Sequence, residues 1–203
     1  MIWSSLPNVT EMTHGEVTNV HHYDSKAEVE RYVRSLSFPI SVFYLAGWYM
    51  QNVWHQMVPA PQAEPDGTVV FPLAWPPDMQ LPWIDITDTG KYLSPALRDP
   101  EKYNGRSLTA ATAYYSAQDI VDTWTKVVGK SVRLLKEEEI SRFITDPIQE
   151  MVVRPGLLLT KYRYFGPTGP GDLEWTHAQL QPKDKLTSWE QFLTRHGPWF
   201  EDI

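Results

Sequence analysis

Residues 24–45 constrain this chain more than any other stretch. Asp24-Ser25 offers a helix cap, and Ala27, Val29, Tyr32, Val33 and Leu36 approximate one face of a helix from about residue 26 to 36. Pro39 stops it. Ile40-Ser41-Val42-Phe43-Tyr44-Leu45 then reads as a strand, rich in β-branched and aromatic residues. A helix joined by a short link to such a strand is the second half of a βαβ unit, whose strands run parallel. Met1-Ile2-Trp3, ended by Ser4-Ser5-Leu6-Pro7-Asn8, reads as a short buried strand ahead of it. The expected fold class is therefore α/β.

The remaining chain supports a mixed fold. Residues 9–22, with Thr, Asn, Gly and three His, read as loop. Gly47 reads as a turn, and Trp48 to Met57 as a short helix or helical turn. Residues 59–82 are Pro-rich, with Asp66-Gly67 as a hairpin turn between short edge strands near residues 62–73. Trp83 to Ile86 reads as a strand, Asp88 as the cap of a helix from Thr89 to Leu97, and Arg106 to Ala111 as another strand. Ser116 caps a helix to Val128 that Gly129 ends. Ser131 to Leu135 is an expected strand and Lys136 to Ile144 a charged helix. Pro147 to Tyr164 contains a helix or strand, with the pattern not deciding between them, Gly166 to Gly171 reads as a surface loop, and Ser188 caps a last helix. Asp85 is expected to face water or a neighbouring loop.

Composition narrows the function classes. Of 203 residues, 42% are hydrophobic and nine are Trp, enough for a real core. A formal charge of -7 gives no electrostatic footprint for nucleic acid, so no such partner is expected. There is no cysteine, which excludes disulfides, thiolate metal sites and cysteine catalysis. The most apolar run, Phe38 to Trp54, carries Ser41, Gln51 and Asn52 and is too interrupted to span a membrane. Neither a membrane partner nor a secretory signal is expected, and the reading is cytoplasmic.

Several segments, in their order, carry a family resemblance: Ile2 to Asn8, His22 to Tyr32, Gly47-Trp48-Tyr49-Met50-Gln51-Asn52, Ile84 to Gly90, Tyr103-Asn104-Gly105-Arg106 and Gly129-Lys130. On these the chain resembles the NmrA-like proteins, a branch of the atypical short-chain dehydrogenase/reductase superfamily. The resemblance implies a Rossmann-like sheet with a C-terminal substrate or lid region. It places residues 1–58 in a remnant of the Rossmann-like half and 59–203 in the C-terminal region, packed as one unit. Members of that family open with a strand, a glycine-rich turn and a helix that cradle the pyrophosphate. This chain resembles them from about their fifth strand onward. Its one glycine cluster, residues 166–171, carries two prolines and lacks the strand-to-helix setting that a dinucleotide site needs. No cofactor is therefore expected, and a truncated, sheet-incomplete fold is.

Candidate site residues concentrate in residues 4–52. The resemblance implies that Lys26 orients a ribose or moves a proton; the bland alternative is a solvated lysine in a helix's first turn. His22, four residues earlier, shares a face with Lys26 if the helix begins early. Tyr49 completes the catalytic set. Ser4, Tyr44, Trp48 and Asn52 form the expected substrate-binding wall, with turn chemistry for Ser4 and core packing for the aromatics as the competing readings. His14, His21 and His22 match no compact zinc spacing, so no metal is expected.

The resulting expectation is a cofactor-independent enzyme acting by acid/base catalysis on an aromatic or polycyclic small molecule, of isomerase, cyclase or lyase type. The alternatives are a non-enzymatic regulatory or partner-binding protein and a truncated NAD(P)-binding oxidoreductase. An uncovered sheet edge at Met1-Trp3 predicts a homodimer, or a partner on that edge.

Overall fold

A computed structural model describes residues 1–18, 20–54, 61–73, 75–143 and 161–201. The first sheet holds β1 (Ile2–Ser5), β2 (Val42–Ala46) and β7 (Ser107–Ala110), all parallel and in the order β1-β2-β7. Between β1 and β2 runs α2 (His21–Ser35), completing the βαβ unit expected from residues 1–45. A second sheet has the order β3-β6-β8, with β3 (Trp48–Tyr49) parallel to β6 (Gln80–Ile84), and β6 antiparallel to β8 (Ala113–Ser116). A third joins β4 (Gln62–Ala63), β5 (Val69–Phe71) and β9 (Val132–Leu134). Its hairpin turns at Gly67, whose φ of 86° is the left-handed conformation that the Asp-Gly pair supplies.

Gly47 is not a chain reversal but a crossing point between sheets. Its N–H donates to Ala110 O of β7 at 2.8 Å, and the next residue already pairs with Trp83 of β6. A Cβ here would lie 2.5 Å from Pro82 O, so the backbones meet more closely than any side chain permits. Beyond it, Trp48 and Tyr49 are strand, and a 3-10 helix covers Met50–Trp54; residues 55–57 of the expected helix lie outside the described residues.

Other expectations need correction. Residues 9–22 are not all loop: α1 (Val9–Met12) forms there, capped by Asn8, whose side chain accepts from Glu11 N–H. Asp24 does not cap α2, which starts earlier, at His21. Its carboxylate instead accepts from Val9 N–H (2.7 Å), Thr10 N–H (3.2 Å) and Thr10 Oγ1 (2.5 Å), so it serves the open end of α1. Strand β6 stops at Ile84. Asp85 is fully buried, accepting from Gln51 Nε2 (2.7 Å) and Thr87 N–H (3.0 Å), with Arg195 at 3.4 Å. Asp88 makes no cap bond to α3 (Thr89–Arg98). It is buried against Lys91 and Thr187. Strand β8 escaped the sequence reading, and the charged helix begins as a 3-10 turn at Glu137–Glu139 and continues as α5 (Ile140–Phe143). Lys136 caps the 3-10 turn, its N–H donating to Glu139 Oε2 at 2.9 Å, and residue 144, with 145–160 after it, lies outside the described residues.

Residues 166–171 are also more than a surface loop. Gly169 opens α6 (Gly169–His177), which packs on β7 and places Thr176 Oγ1 3.2 Å from Thr109 N–H. The helices α4 (Ala117–Val128) and α7 (Trp189–His196) begin at Ser116 and Ser188 in full capping boxes, and Gly129 ends α4 in the left-handed conformation. One core cluster draws Val9, Tyr23 and Met50 from the first 58 residues together with Phe71, Trp83, Trp124, Trp189 and Phe192. Among the described residues, no helix is long and apolar enough to cross a membrane.

Candidate functional site

Strands β1 and β2 end side by side, and a cavity of about 290 Å³ opens at their carboxyl ends. Ligands of open α/β sheets bind at this position, because the loops leaving the strands diverge there. From β1 come Ser4, Ser5 and Leu6; from the β2–β3 crossing, Ala46, Gly47, Trp48 and Tyr49; from the following 3-10 helix, Asn52. The first turns of α2 supply His22, Tyr23 and Lys26, and Tyr164 closes the wall.

Helix α2 is held by its neighbour strand. Lys26 O accepts from Trp3 Nε1 at 3.1 Å and from Ser5 Oγ at 3.5 Å, which fixes the Lys26 backbone against β1. Because the helix already runs at His21, His22 and Lys26 stand one turn apart on one face. The His22 ring meets Tyr23 edge-on at 4.8 Å. Burial, and then the Lys26 ammonium, push the His22 pKa below its ordinary value, so the imidazole is neutral near pH 7. Burial raises the Tyr49 phenol, which stays protonated. Tyr23 and Tyr164 are 6% and 5% exposed, with ring centroids 5.8 Å apart. Burial lifts Tyr23 to about 12 and Tyr164 well above the usual phenol value.

Of the residues expected from sequence, Ser4, His22, Lys26, Trp48, Tyr49 and Asn52 share this cavity. Tyr44 does not line it. Side chains alternate along a strand, and Tyr44 points into a core with Tyr92, its hydroxyl 3.2 Å from Thr89 Oγ1. Two lining tyrosines were missed. Tyr23 carries a signal in hindsight, since it sits beside His22 on the same helix turn. Tyr164 carries none, because it arrives from a segment whose pattern leaves helix and strand undecided and meets the site only through folding.

The sequence profile of the NmrA-like family matches residues 1–193. The chain belongs to the NmrA-like family. It is 29% identical over 219 residues to the NmrA-like family domain-containing oxidoreductase cpsB of Aspergillus campestris, covering 98% of this chain and 64% of that protein. It is also 29% identical, over 151 residues, to the nitrogen metabolite repression protein nmrA of Emericella nidulans, covering 72% of this chain and 42% of that one. Among solved structures it is similar to NmrA, a negative transcriptional regulator in complex with NADP. There the TM-score is 0.74 at 25% identity, over 96% of this chain and 63% of that chain. The NmrA-like chain described here thus spans less than two-thirds of the length of these relatives.

A whole dinucleotide does not fit the described residues. Its pyrophosphate needs consecutive backbone N–H groups at a strand-to-helix turn rich in glycine. Among the described residues the run 166–171 follows no strand, and the space at Gly169 is filled: a Cβ there would sit 2.6 Å from Phe165 Cβ.

Proposed function

We propose that this NmrA-like chain binds a one- or two-ring small molecule in the cavity beside β1 and β2 and moves protons on it. The observation that carries this reading is the convergence of His22, Lys26 and Tyr49 with the aromatic wall of Trp48 around one cavity. The volume is at the lower end of small-molecule sites. The neutral His22 imidazole takes a proton from carbon next to a ring carbonyl. Tyr49 donates its proton to the carbonyl oxygen, giving the enol. Where the ring also carries a C=C bond conjugated with the enol, return of the proton at the far carbon of that bond, with Tyr49 recovering its own, shifts the double bond and leaves an isomer of the same composition. Lys26 supplies positive charge close to the developing oxygen anion. Ser4 and Asn52 orient the ring substituents.

The test is exchange of the α-protons of 1-indanone into D₂O, followed by NMR. Protein-dependent exchange that falls about 10²–10⁴-fold in His22→Gln supports the reading. Exchange no faster than in buffer sinks it. Titration with NADPH, read by tryptophan fluorescence, runs beside it, and micromolar binding of NADPH would return the site to dinucleotide chemistry.

A second reading, a partner-binding protein, is favoured by a different observation. Met1, Ile2, Val29, Tyr32, Leu36 and Phe38 are all exposed, on or beside β1 and α2, and β1 is an edge strand among the described residues. A parallel sheet normally has its edge and faces covered. We take the occupant of this face to be a second copy of the chain, which would pair or cover both edges symmetrically.

A further inference from the structure

Seven of the nine tryptophans stand in one connected group that runs from the cavity to the surface. Trp48 forms part of the cavity wall. Its ring centroid is 6.4 Å from that of Trp83, and Trp75 bridges the two at 5.5 and 6.4 Å. Trp83 meets Trp189 at 5.0 Å, Trp189 meets Trp124 at 5.5 Å, and Trp124 meets Trp199 at 5.3 Å. Trp199 stacks on Trp54 at 5.5 Å, and Trp54 is 44% exposed. These are the separations of ring pairs in contact, which core packing by itself accounts for.

Packing does not account for the nitrogens. The indole N–H groups of Trp48, Trp75, Trp83 and Trp124 are buried and have no hydrogen-bond partner among the described residues. Folded interiors leave few polar groups in that state. Indole is among the side chains most easily oxidised by one electron. The cation radical so formed is a strong N–H acid, and loss of the proton traps the charge on that ring. An N–H without an acceptor keeps its proton, so the missing electron can be refilled from the next ring in contact. Trp189 and Trp199 donate to backbone carbonyls, Ile120 O at 3.1 Å and Leu193 O at 2.7 Å, which are too weakly basic to take a proton. Trp54 differs, because water reaches it and the His196 ring lies 5.1 Å away. The proton is kept along the row and lost at its surface end.

We propose that this row conducts single oxidising equivalents from the cavity to Trp54, serving a quinone-class oxidant bound in the cavity. This rests on the cavity being a ring-binding site, as argued above. The quinone takes one electron from Trp48 and becomes the semiquinone anion, in a lining that holds the Lys26 ammonium and no carboxylate. Trp48 is refilled from Trp83, directly or through Trp75, and each ring in turn from the next, until the deficit stands on Trp54. The Trp54 cation radical gives its Nε1 proton to water. A dissolved reductant of the ascorbate class returns one electron, and water returns the proton. The sum is one electron moved from the ascorbate anion, which becomes its radical, to the quinone.

The experiment uses the whole chain with 2-methyl-1,4-naphthoquinone, whose binding is first measured by tryptophan quenching. A laser flash excites the bound quinone. Transient absorption then follows the semiquinone and tryptophan-radical bands, with and without ascorbate. The expected result is a long-lived radical pair whose tryptophan signal ascorbate removes, because the charge has left the cavity. Trp189→Phe replaces the link between Trp83 and Trp124 by a ring far harder to oxidise. It should lose the long-lived signal, the charge recombining beside the quinone, while retained quinone binding reports a folded pocket. Trp54→Phe changes the surface end and keeps a ring in the stack; it should keep the radical and slow its removal by ascorbate. A bound quinone that yields no long-lived tryptophan radical overturns the row while leaving the ring site standing. So does a signal unchanged in Trp189→Phe or, should that variant not fold, in Trp54→Phe. A quinone that does not bind removes the ring site itself, and the row's point of entry with it.

Discussion

His22 and Lys26 lie one turn apart on α2, and each alters what the other can do. Burial is the larger cause of the depressed His22 pKa and the Lys26 charge the next. Replacing Lys26 by Met removes that charge, so the imidazolium becomes easier to form and the His22 pKa rises. An NMR titration of the His22 ring protons reads this directly; an unchanged pKa would mean that the two do not couple. The sign carries into activity. A base works in its neutral form, so proton exchange should hold above the His22 pKa and fall as pH drops through it, and Lys26→Met should move that fall to higher pH. Gly47 shows a different residue-scale constraint. Gly47→Ala brings a methyl onto Pro82 O and should cost about 1–3 kcal/mol in urea unfolding. The identity of these residues was readable in advance, His22 and Lys26 as an i, i+4 pair and Gly47 as a backbone special. What Gly47 is special for was not, because its constraint comes from a strand 35 positions away.

Among the elements, those specified by local chemistry were the readable ones. Ser116 and Ser188 begin helices because their hydroxyls reach amide groups three residues on, and Gly129 ends one because only glycine adopts that φ without strain. The misread elements share a cause: side chains that looked local bond at long range. Asp24 had the look of a cap for its own helix and serves α1. Asp88 had the look of a cap for α3 and accepts instead from Thr187 N–H at 2.7 Å, with Lys91 as its counter-ion. Burial makes that long-range bond valuable, as it ties the segment leading into α7 to the sheet layer. Asp88→Ala leaves the Thr187 N–H buried without an acceptor and should destabilise the fold by about 2–3 kcal/mol. Limited proteolysis should then cut near residues 183–188 first. An unchanged cleavage pattern would place the anchor of α7 elsewhere. Strand β8 went unread because Ala113-Tyr114-Tyr115-Ser116 is too short to show a period, and its pairing with β6 is what makes it a strand.

At the scale of the molecule, the edge of β1 that is open among the described residues and the exposed apolar residues of α2 lie together. Tyr32 is 65% exposed and Ile2 39%, unusual for residues of their size next to a parallel sheet. Self-association through this face predicts a dimer at micromolar concentration in sedimentation equilibrium. Ile2→Lys, which charges the edge, should shift it to monomer. A monomer in the unaltered protein at that concentration counts against the interface. The residue pattern by itself determined the βαβ unit, the parallel pairing that follows from it, the NmrA-like family and most of the side chains that meet in the cavity. These were legible because hydrophobic period, capping and turn chemistry act over a few residues. Only the tertiary structure decided that Tyr44 leaves the site while Tyr23 and Tyr164 enter it, that Asp85 and Asp88 are buried anchors, and that residues 166–171 open a helix against β7. Each of those outcomes depends on which distant backbone or hydroxyl lies within hydrogen-bonding reach, and that distance does not exist until the chain has folded.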